Sequence, residues 1–218
     1  MIRANRKRWF EAIMRQITHR QLRSHFHTIY WKGEDPYPSP AIYIANHSSW
    51  WDGLLYFHLR HTVIDRVVYI LMHEEGLKKF WYFQWIGAYS VKKTSRRDIV
   101  EALSYSKQLL KEGKSIWIFP QGDEYHQEKR PLKLETGVGH LASQLPKVPI
   151  IPLTFYYSYG HHQKGEVAIQ GGSPVYFHDL EGETRKQKTE ALERLLEQQL
   201  NQVRQDVIHE QVEDYIKI

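Results

Sequence analysis

The chain has 218 residues and a mass of 26.1 kDa, which is enough for one domain with a buried core and too short for two ordinary ones. It contains no cysteine, and this excludes a disulfide framework, a thiolate zinc site and a thiol nucleophile. Lysine and arginine total 30 against 25 acidic residues, and the net charge of +5 predicts an anionic partner such as phospholipid, nucleic acid or a phosphorylated substrate.

The N-terminal segment has the pattern of a basic amphipathic helix over residues 2–30, where apolar side chains recur at helical spacing between arginines and lysines. Such a helix is compatible both with a membrane interface and with packing on its own domain. We therefore assign residues 1–33 to a membrane-interface helix region and residues 34–218 to the main domain. No run of about 18 apolar residues occurs, so the sequence predicts no transmembrane helix.

The rest of the chain alternates short apolar strands with helices. AIYIANH predicts a buried strand, and Ser48 or Ser49 can cap the helix that follows. Further strands are predicted at VVYILM, SIWIFP, VPIIPLTFYY and EVAIQGG, with helices near 97–112 and 137–145 and a long charged helix at 183–216. This alternation predicts an α/β fold: a single domain with a mixed, mostly parallel central sheet flanked by helices.

The strand AIYIANH ends in a histidine that precedes an aspartate by five residues. On a continuous helix this spacing turns through about 140° and separates two side chains, as we expect for His209 and Asp214. His47 instead precedes the predicted helix start, where a turn can fold its ring back toward Asp52. A carboxylate on one ring nitrogen leaves the other nitrogen free to remove a proton from a hydroxyl. The alternative is that Asp52 only caps its helix.

Four sequence blocks in order resemble the glycerolipid acyltransferases of the PlsC type, over residues from about 41 to 153. NHSSWWD fits the NHxxxxD block, in which the family's general base and its orienting partner correspond to His47 and Asp52. GAYSVKK resembles the second block, whose basic residue holds acceptor phosphate, with Lys93 in that position and Lys92 beside it. VPIIPLTF resembles the fourth, proline-containing block. The resemblance implies this fold and acyl transfer from a thioester.

The third block departs from the family pattern, since FPEGTRS is replaced by FPQGDEY. Gln121 replaces the glutamate, Asp123 the threonine and Glu124 the arginine, while Gly122 is retained. The two carboxylates would repel a phosphate unless a nearby cation such as Arg130 compensates. The resemblance, together with Lys92 and Lys93, makes a lysophospholipid such as 1-acylglycerol-3-phosphate the first expected acceptor. The altered third block favours the alternative, a glycolipid or glycosylated isoprenoid.

The mechanism implied by the resemblance is direct transfer, with no acyl-enzyme. Backbone amides near Gly122 could stabilise the oxyanion. Aromatic side chains could line an acyl groove or its membrane-facing mouth, namely those of Trp50, Trp51, Trp81, Phe83 and Trp85.

The expected partners are an anionic membrane surface, a lipid acceptor and an acyl-CoA or acyl-carrier-protein donor as co-substrate. No cofactor, metal or nucleic acid is expected. These partners suggest a role in phospholipid biosynthesis at the cytoplasmic face of the membrane, as a peripheral protein.

Three other classes of protein share individual features with this sequence. A condensation-type acyltransferase also carries a block ending in Asp-Gly, but with a different spacing and position. A metal hydrolase could use paired histidines, at His58 and His61 or at His161 and His162, but no carboxylate stands at a recognisable ligand spacing. A non-catalytic, basic membrane-surface module would explain the charge and leave the four ordered blocks unexplained.

Overall fold

The computed structural model describes residues 1–34 and 36–218, which are built around one eight-stranded sheet in the order β4-β3-β5-β2-β6-β7-β1-β8. The strands are β1 (Phe26–Lys32), β2 (Ile42–Ala45), β3 (Val68–His73), β4 (Ala88–Val91), β5 (Ser115–Ile118), β6 (Ile150–Ser158), β7 (Gly165–Gly171) and β8 (Ile216–Lys217).

Most neighbouring strands are parallel. Strand β2 pairs in parallel with both β5 and β6, β3 pairs in parallel with β4 and β5, and β1 pairs in parallel with β7. The pairs β6–β7 and β1–β8 are antiparallel. The predicted α/β fold with a mixed, mostly parallel sheet is therefore confirmed.

Helices cover both faces of the sheet. They are α1 (Arg8–His25), α2 (Asp52–Thr62), α3 (Glu74–Lys79), α4 (Arg96–Lys111), α5 (Thr136–Ser143) and α6 (Arg185–Ile208), with 3₁₀ helices at Trp81–Ile86 and Phe177–Asp179. Alternate side chains of β2 point to opposite faces of the sheet. Tyr43 packs in the core formed with α1 and α2, whereas Ile42 and Ile44 pack in the core formed with α4 and α5. No helix in the described part of the chain is long and apolar enough to cross a membrane.

The N-terminal helix is shorter than the predicted 2–30. Helix α1 ends at His25, and the aromatic and β-branched residues that follow form β1 within the central sheet. Met14 and Leu22 on α1 are buried against the domain, whereas Trp9, Ile13 and Ile17 are exposed. One face of the helix therefore packs on the domain, and an apolar stripe on the other face remains in contact with solvent.

A buried ion pair fixes α1 against α2. The guanidinium of Arg60, which is almost fully buried, pairs with Glu11 and donates to the carbonyl of Ile86 at 2.6 Å. Glu11 also pairs with Arg6 at 2.6 Å. Burial lowers the pKa of Arg60 to about 9. The network therefore links the N-terminal segment, α2 and the end of the first 3₁₀ helix, Trp81–Ile86.

The C-terminal helix also differs from the prediction of 183–216. It begins after a capping box, in which Thr184 accepts from the amide of Gln187, and it ends at Ile208. His209 and Asp214 therefore lie beyond the helix, where His209 contacts the carbonyl of Gln205 and Asp214 pairs with Lys32. The predicted serine cap of α2 is wrong as well, since Trp51 occupies the cap position and no side chain caps it.

Candidate active site

The loop after β2 is held by a side chain that continues the sheet. Asn46, which is buried, donates to the carbonyl of Phe155 at 3.0 Å and accepts from the amide of Phe155 at 2.8 Å. With these two bonds the side-chain amide of Asn46 takes the place of a backbone amide group, and it extends the β2–β6 hydrogen-bonding pattern beyond Ala45. The next residue, His47, therefore leaves the carboxyl end of β2 in a fixed direction.

His47 and Asp52 are in direct contact. The distance from His47 Nδ1 to Asp52 Oδ2 is 2.8 Å, and the same oxygen accepts from the amides of Ser48 at 2.7 Å and Ser49 at 2.9 Å. Asp52 is fully buried in the first turn of α2, where the helix dipole favours a carboxylate. The predicted turn thus brings the imidazole back over the start of the helix, as the spacing allowed.

Tyr157 on β6 completes the surroundings of Asp52. Its hydroxyl donates to Asp52 Oδ1, so both carboxylate oxygens are engaged. Burial, together with the charge of Asp52, raises the pKa of Tyr157 well above that of an ordinary phenol. The phenol therefore remains a hydrogen-bond donor throughout the physiological range.

The loop after β5 forms the second wall around His47. The ring of Phe119 stacks on the imidazole, with 4.3 Å between ring centroids, and Gln121 Oε1 accepts from the amide of His47 at 2.8 Å. The amide of Tyr125 donates to the carbonyl of His47 at 2.9 Å. A carboxylate oxygen of Glu124 lies 3.7 Å from His47 Nε2, the ring nitrogen opposite Asp52. The imidazole is thus held between two acidic side chains.

A cavity of about 1010 Å³ extends from His47 along the carboxyl ends of β3, β4 and β5. Its volume lies at the upper end of the roughly 300–1,000 Å³ typical of ligand sites. The apolar part of the lining includes Leu54, Phe57, Ile70, Met72, Phe80, Phe83, Val91, Ile99, Leu103 and Val138. The cavity can therefore hold a long apolar group with one end against the imidazole.

The five aromatic residues expected at such a groove have different places. Trp50 and Phe83 line the cavity, and Trp50 is 52% exposed. Trp51 packs on Phe26, with 5.3 Å between ring centroids. Trp81 and Trp85 pack on each other outside the lining, with Trp85 also in contact with the exposed ring of Trp9.

Lys93 is brought to the site and is paired there with a carboxylate. Its Nζ donates to Asp123 Oδ2 at 2.8 Å, and both residues line the cavity. Gly122 allows this approach, because its φ of 76° is left-handed and a Cβ at this position would come within 2.7 Å of Lys93 Nζ. The amide of Gly122 donates to the carbonyl of Phe119 at 3.0 Å, which leaves it poorly placed as an oxyanion donor.

Two predicted cations lie elsewhere. Lys92 is exposed and is not among the lining residues. Arg130 donates to Asn201 Oδ1 on α6 at 2.9 Å and to the carbonyl of Gln127 at 2.7 Å, so it joins its loop to the C-terminal helix. Two other arginines line the cavity, Arg96 on α4 and Arg185 at the start of α6, and they were not predicted.

Sequence reasoning also missed Tyr157. Period-two alternation along β6 places it on the same face as Leu153 and Phe155, which shows that it points toward α2 rather than toward α6. Its partner could not be inferred, because the contact joins residues 105 positions apart.

The fold is shared with a solved acyltransferase. The crystal structure of the 1-acyl-sn-glycerophosphate (LPA) acyltransferase PlsC from Thermotoga maritima is similar, with a TM-score of 0.62 and 19% sequence identity over 88% of this chain and 80% of that one. The chain therefore shares the fold of that protein. No curated protein matches the chain at a significant level.

Residues 28–156, more than half of the chain, match the protein-family model described as Acyltransferase. The chain belongs to this family. The matched range contains β2, the His47–Asp52 pair and the loop after β5, which are the parts that build the site described above.

Proposed function

We propose that the protein transfers a fatty acyl group from an acyl thioester to a lipid hydroxyl, with His47 as the general base. The observation that carries the proposal is the contact of His47, which is partly exposed, with the buried Asp52 at the end of a largely apolar cavity. Because Nδ1 faces Asp52, Nε2 is the nitrogen that accepts the hydroxyl proton as the oxygen attacks the thioester carbonyl. The thiol then leaves with a proton from the ring.

Asp52 has two tasks in this mechanism. Its bond to Nδ1 fixes the tautomer of His47, and its charge stabilises the imidazolium that forms during attack. The four donors around the carboxylate keep it in place without help from solvent. No serine or cysteine nucleophile is needed, because the acceptor hydroxyl attacks directly. The donor is an acyl-CoA or an acyl-carrier-protein thioester.

A lysophospholipid such as 1-acylglycerol-3-phosphate is the first candidate acceptor. The PlsC-type resemblance supports it, as does the presence of three cations, Lys93, Arg96 and Arg185, in the cavity lining. Arg185 donates to His140 Nδ1 at 3.0 Å, which holds its guanidinium in place, and the remaining N–H groups of the guanidinium offer donors to an anionic headgroup. This assignment places the acceptor phosphate nearer to the two arginines than to Lys93, whose charge is already balanced by Asp123.

A glycolipid is the second candidate, and the rim of the cavity beside His47 favours it. Asp123 and Glu124 are 61% and 53% exposed there, where they would repel a phosphate and accept hydrogen bonds from sugar hydroxyls. The half-exposed indole of Trp50 offers an apolar ring on which a sugar face can lie.

The role of His47 is tested by thioester consumption with wild type, His47→Ala and Asp52→Asn, followed by chromatography of the lipid products. We expect both variants to lose about 10³-fold or more in kcat, as for comparable orienting pairs. His126→Ala is a matched control, since this exposed histidine lies on the same loop as Glu124 and outside the cavity lining. Equal activity in wild type and His47→Ala would exclude the proposed base.

The acceptor class is tested with the same assay on a lysophosphatidate and a monoglycosylated lipid, using Asp123→Asn with Glu124→Gln. Removing both charges should raise activity toward the phosphorylated acceptor about tenfold or more if carboxylate repulsion restricts it. A preference of wild type for the lysophosphatidate, unchanged in the double variant, would support the first candidate and remove the argument for the second.

We further propose that the protein acts as a peripheral protein at the cytoplasmic face of the membrane, with an anionic lipid surface as its partner. The exposed apolar stripe of α1 supports this, together with the exposed indole of Trp81. Exposed arginines on the same helix, Arg8, Arg15, Arg20 and Arg23, suit the phosphate layer of a bilayer. Residues 1–33 would then form the membrane-contacting region, although β1 within this range also belongs to the sheet.

A further inference from the structure

Three metal-ligating side chains meet at the edge of the sheet where β1 and β7 begin. They are His27 on β1, His162 in the connection between β6 and β7, and Glu166 on β7, and their ligand atoms all lie within 4.8 Å of one another. His162 Nε2 is 3.9 Å from Glu166 Oε1. The cluster is separate from the cavity, whose lining contains none of these residues.

An irregularity in β1 directs His27 toward the other two side chains. Phe26 pairs with Gly165 and Thr28 pairs with Glu166, so His27 is the additional residue at this point in the ladder. A bulge of this kind changes the direction of a side chain relative to its strand. The rings of His27 and His162 consequently stack, with 3.4 Å between centroids and an interplanar angle of 30°.

The donor set fits zinc. Two imidazoles and one carboxylate are ordinary zinc ligands, with Zn–N and Zn–O distances of about 2.0–2.2 Å that place tetrahedral ligand atoms about 3.3 Å apart. The separations in the cluster exceed this by at most about 1.5 Å, a movement that rotation about the χ angles of the two exposed histidines and the partly exposed glutamate can supply. Three protein ligands leave a fourth position for water.

We infer that His27, His162 and Glu166 bind one zinc ion, which joins the start of β1 to the β6–β7 connection. The site is also linked to the catalytic region by packing. Phe26, next to His27, lies 5.3 Å from Trp51 and 6.1 Å from Tyr157 between ring centroids, and Tyr157 holds Asp52. Zinc would therefore restrain the wall behind the His47–Asp52 pair.

The sequence predicted no metal site, because the three ligands do not form a recognisable motif. Glu166 follows His162 by four residues, a spacing that indicates a pair of ligands on a helix but not between a loop and a strand. The third ligand comes from a distant strand. Only the parallel pairing of β1 with β7 brings His27 to the same place.

The test is zinc binding to the tag-free full chain, measured by competition with a chromophoric chelator. His162→Ala and His27→Ala are the site variants. His161→Ala is a matched control, because His161 is adjacent and exposed but pairs with Glu210 at 2.9 Å. We expect wild type and His161→Ala to bind one zinc ion, and each site variant to bind at least about tenfold more weakly.

Thermal unfolding gives a second readout that does not depend on activity. Zinc at about one hundred times its dissociation constant should raise the melting temperature of wild type and of the control by about 5–10 °C, and that of the site variants by much less. Absence of micromolar binding by wild type would overturn the inference. So would equal binding by wild type and both site variants, since the zinc would then be held by other histidines.

Discussion

Replacing Tyr157 by phenylalanine removes a single donor from the buried carboxylate of Asp52. A hydrogen bond to a charged group contributes about 1.5–3 kcal/mol, and the loss leaves Asp52 Oδ1 without this partner in a site closed to solvent. Converted at 1.36 kcal/mol per factor of ten, this corresponds to about 10- to 100-fold in kcat if the bond is needed to hold Asp52 against His47. Asp52→Asn should be more damaging, because an amide can donate to Nδ1 and impose the wrong tautomer.

The assay is steady-state release of the thiol from an acyl thioester, combined with urea unfolding of each variant. The adjacent Tyr156→Phe is the control, since Tyr156 donates to Glu128 at 2.9 Å and packs in the core next to α6. We expect Tyr156→Phe to retain kcat near that of wild type. Wild-type kcat in Tyr157→Phe, or equal losses in both variants, would refute the reasoning that this hydroxyl positions Asp52.

Three further predictions concern stability and membrane binding. Arg60→Leu leaves Glu11 without its buried partner and should cost about 3–5 kcal/mol of unfolding free energy, measured in urea. Burial lowers the pKa of His58 from 6.5 to about 4, so the unfolded chain binds more protons between these values, and stability should fall as the pH drops from 6.5 to 4. His58→Gln should flatten that decline in unfolding measured as a function of pH. Substitution of both Trp9 and Ile13 by alanine should weaken sedimentation with anionic vesicles, whereas unchanged sedimentation would show that this stripe does not contact lipid.

The contact between His47 and Asp52 could be anticipated because it depends on local chain geometry. A short strand followed by a helix leaves only a four-residue turn between the two side chains, and few conformations of such a turn are available. The same reasoning used a wrong premise for His209 and Asp214, since α6 ends at Ile208. His209 and Asp214 do not pair in the structure, as expected. The reason is that His209 contacts Gln205 and Asp214 pairs with Lys32, and not that a helical turn separates them.

Contacts between distant segments could not be anticipated in this way. The resemblance placed Lys93 in the basic position of the second block, and the path of the chain after β4 directs Lys93 rather than Lys92 into the cavity. Arg130 looked like a phosphate ligand because it is close in sequence to the third block, yet its guanidinium is engaged by Asn201 on α6. Arg185 reaches the cavity from the same helix, although it is far from every recognised block.

The substitutions in the third block have two different consequences, one for the support of His47 and one for the charge at the rim of the cavity. Gln121 is buried and its Oε1 accepts from the amide of His47, a bond that a glutamate oxygen would make equally well. The substitution therefore keeps the support of the His47 loop and removes a buried charge. Negative charge is present instead at Asp123 and Glu124, which lie on the exposed rim of the cavity. If His47 is the base, as proposed, Gln121 supports it in the way that the family's glutamate could, whereas the charge at the cavity rim differs from the family pattern. We therefore expect this block to alter the choice of acceptor rather than the chemistry.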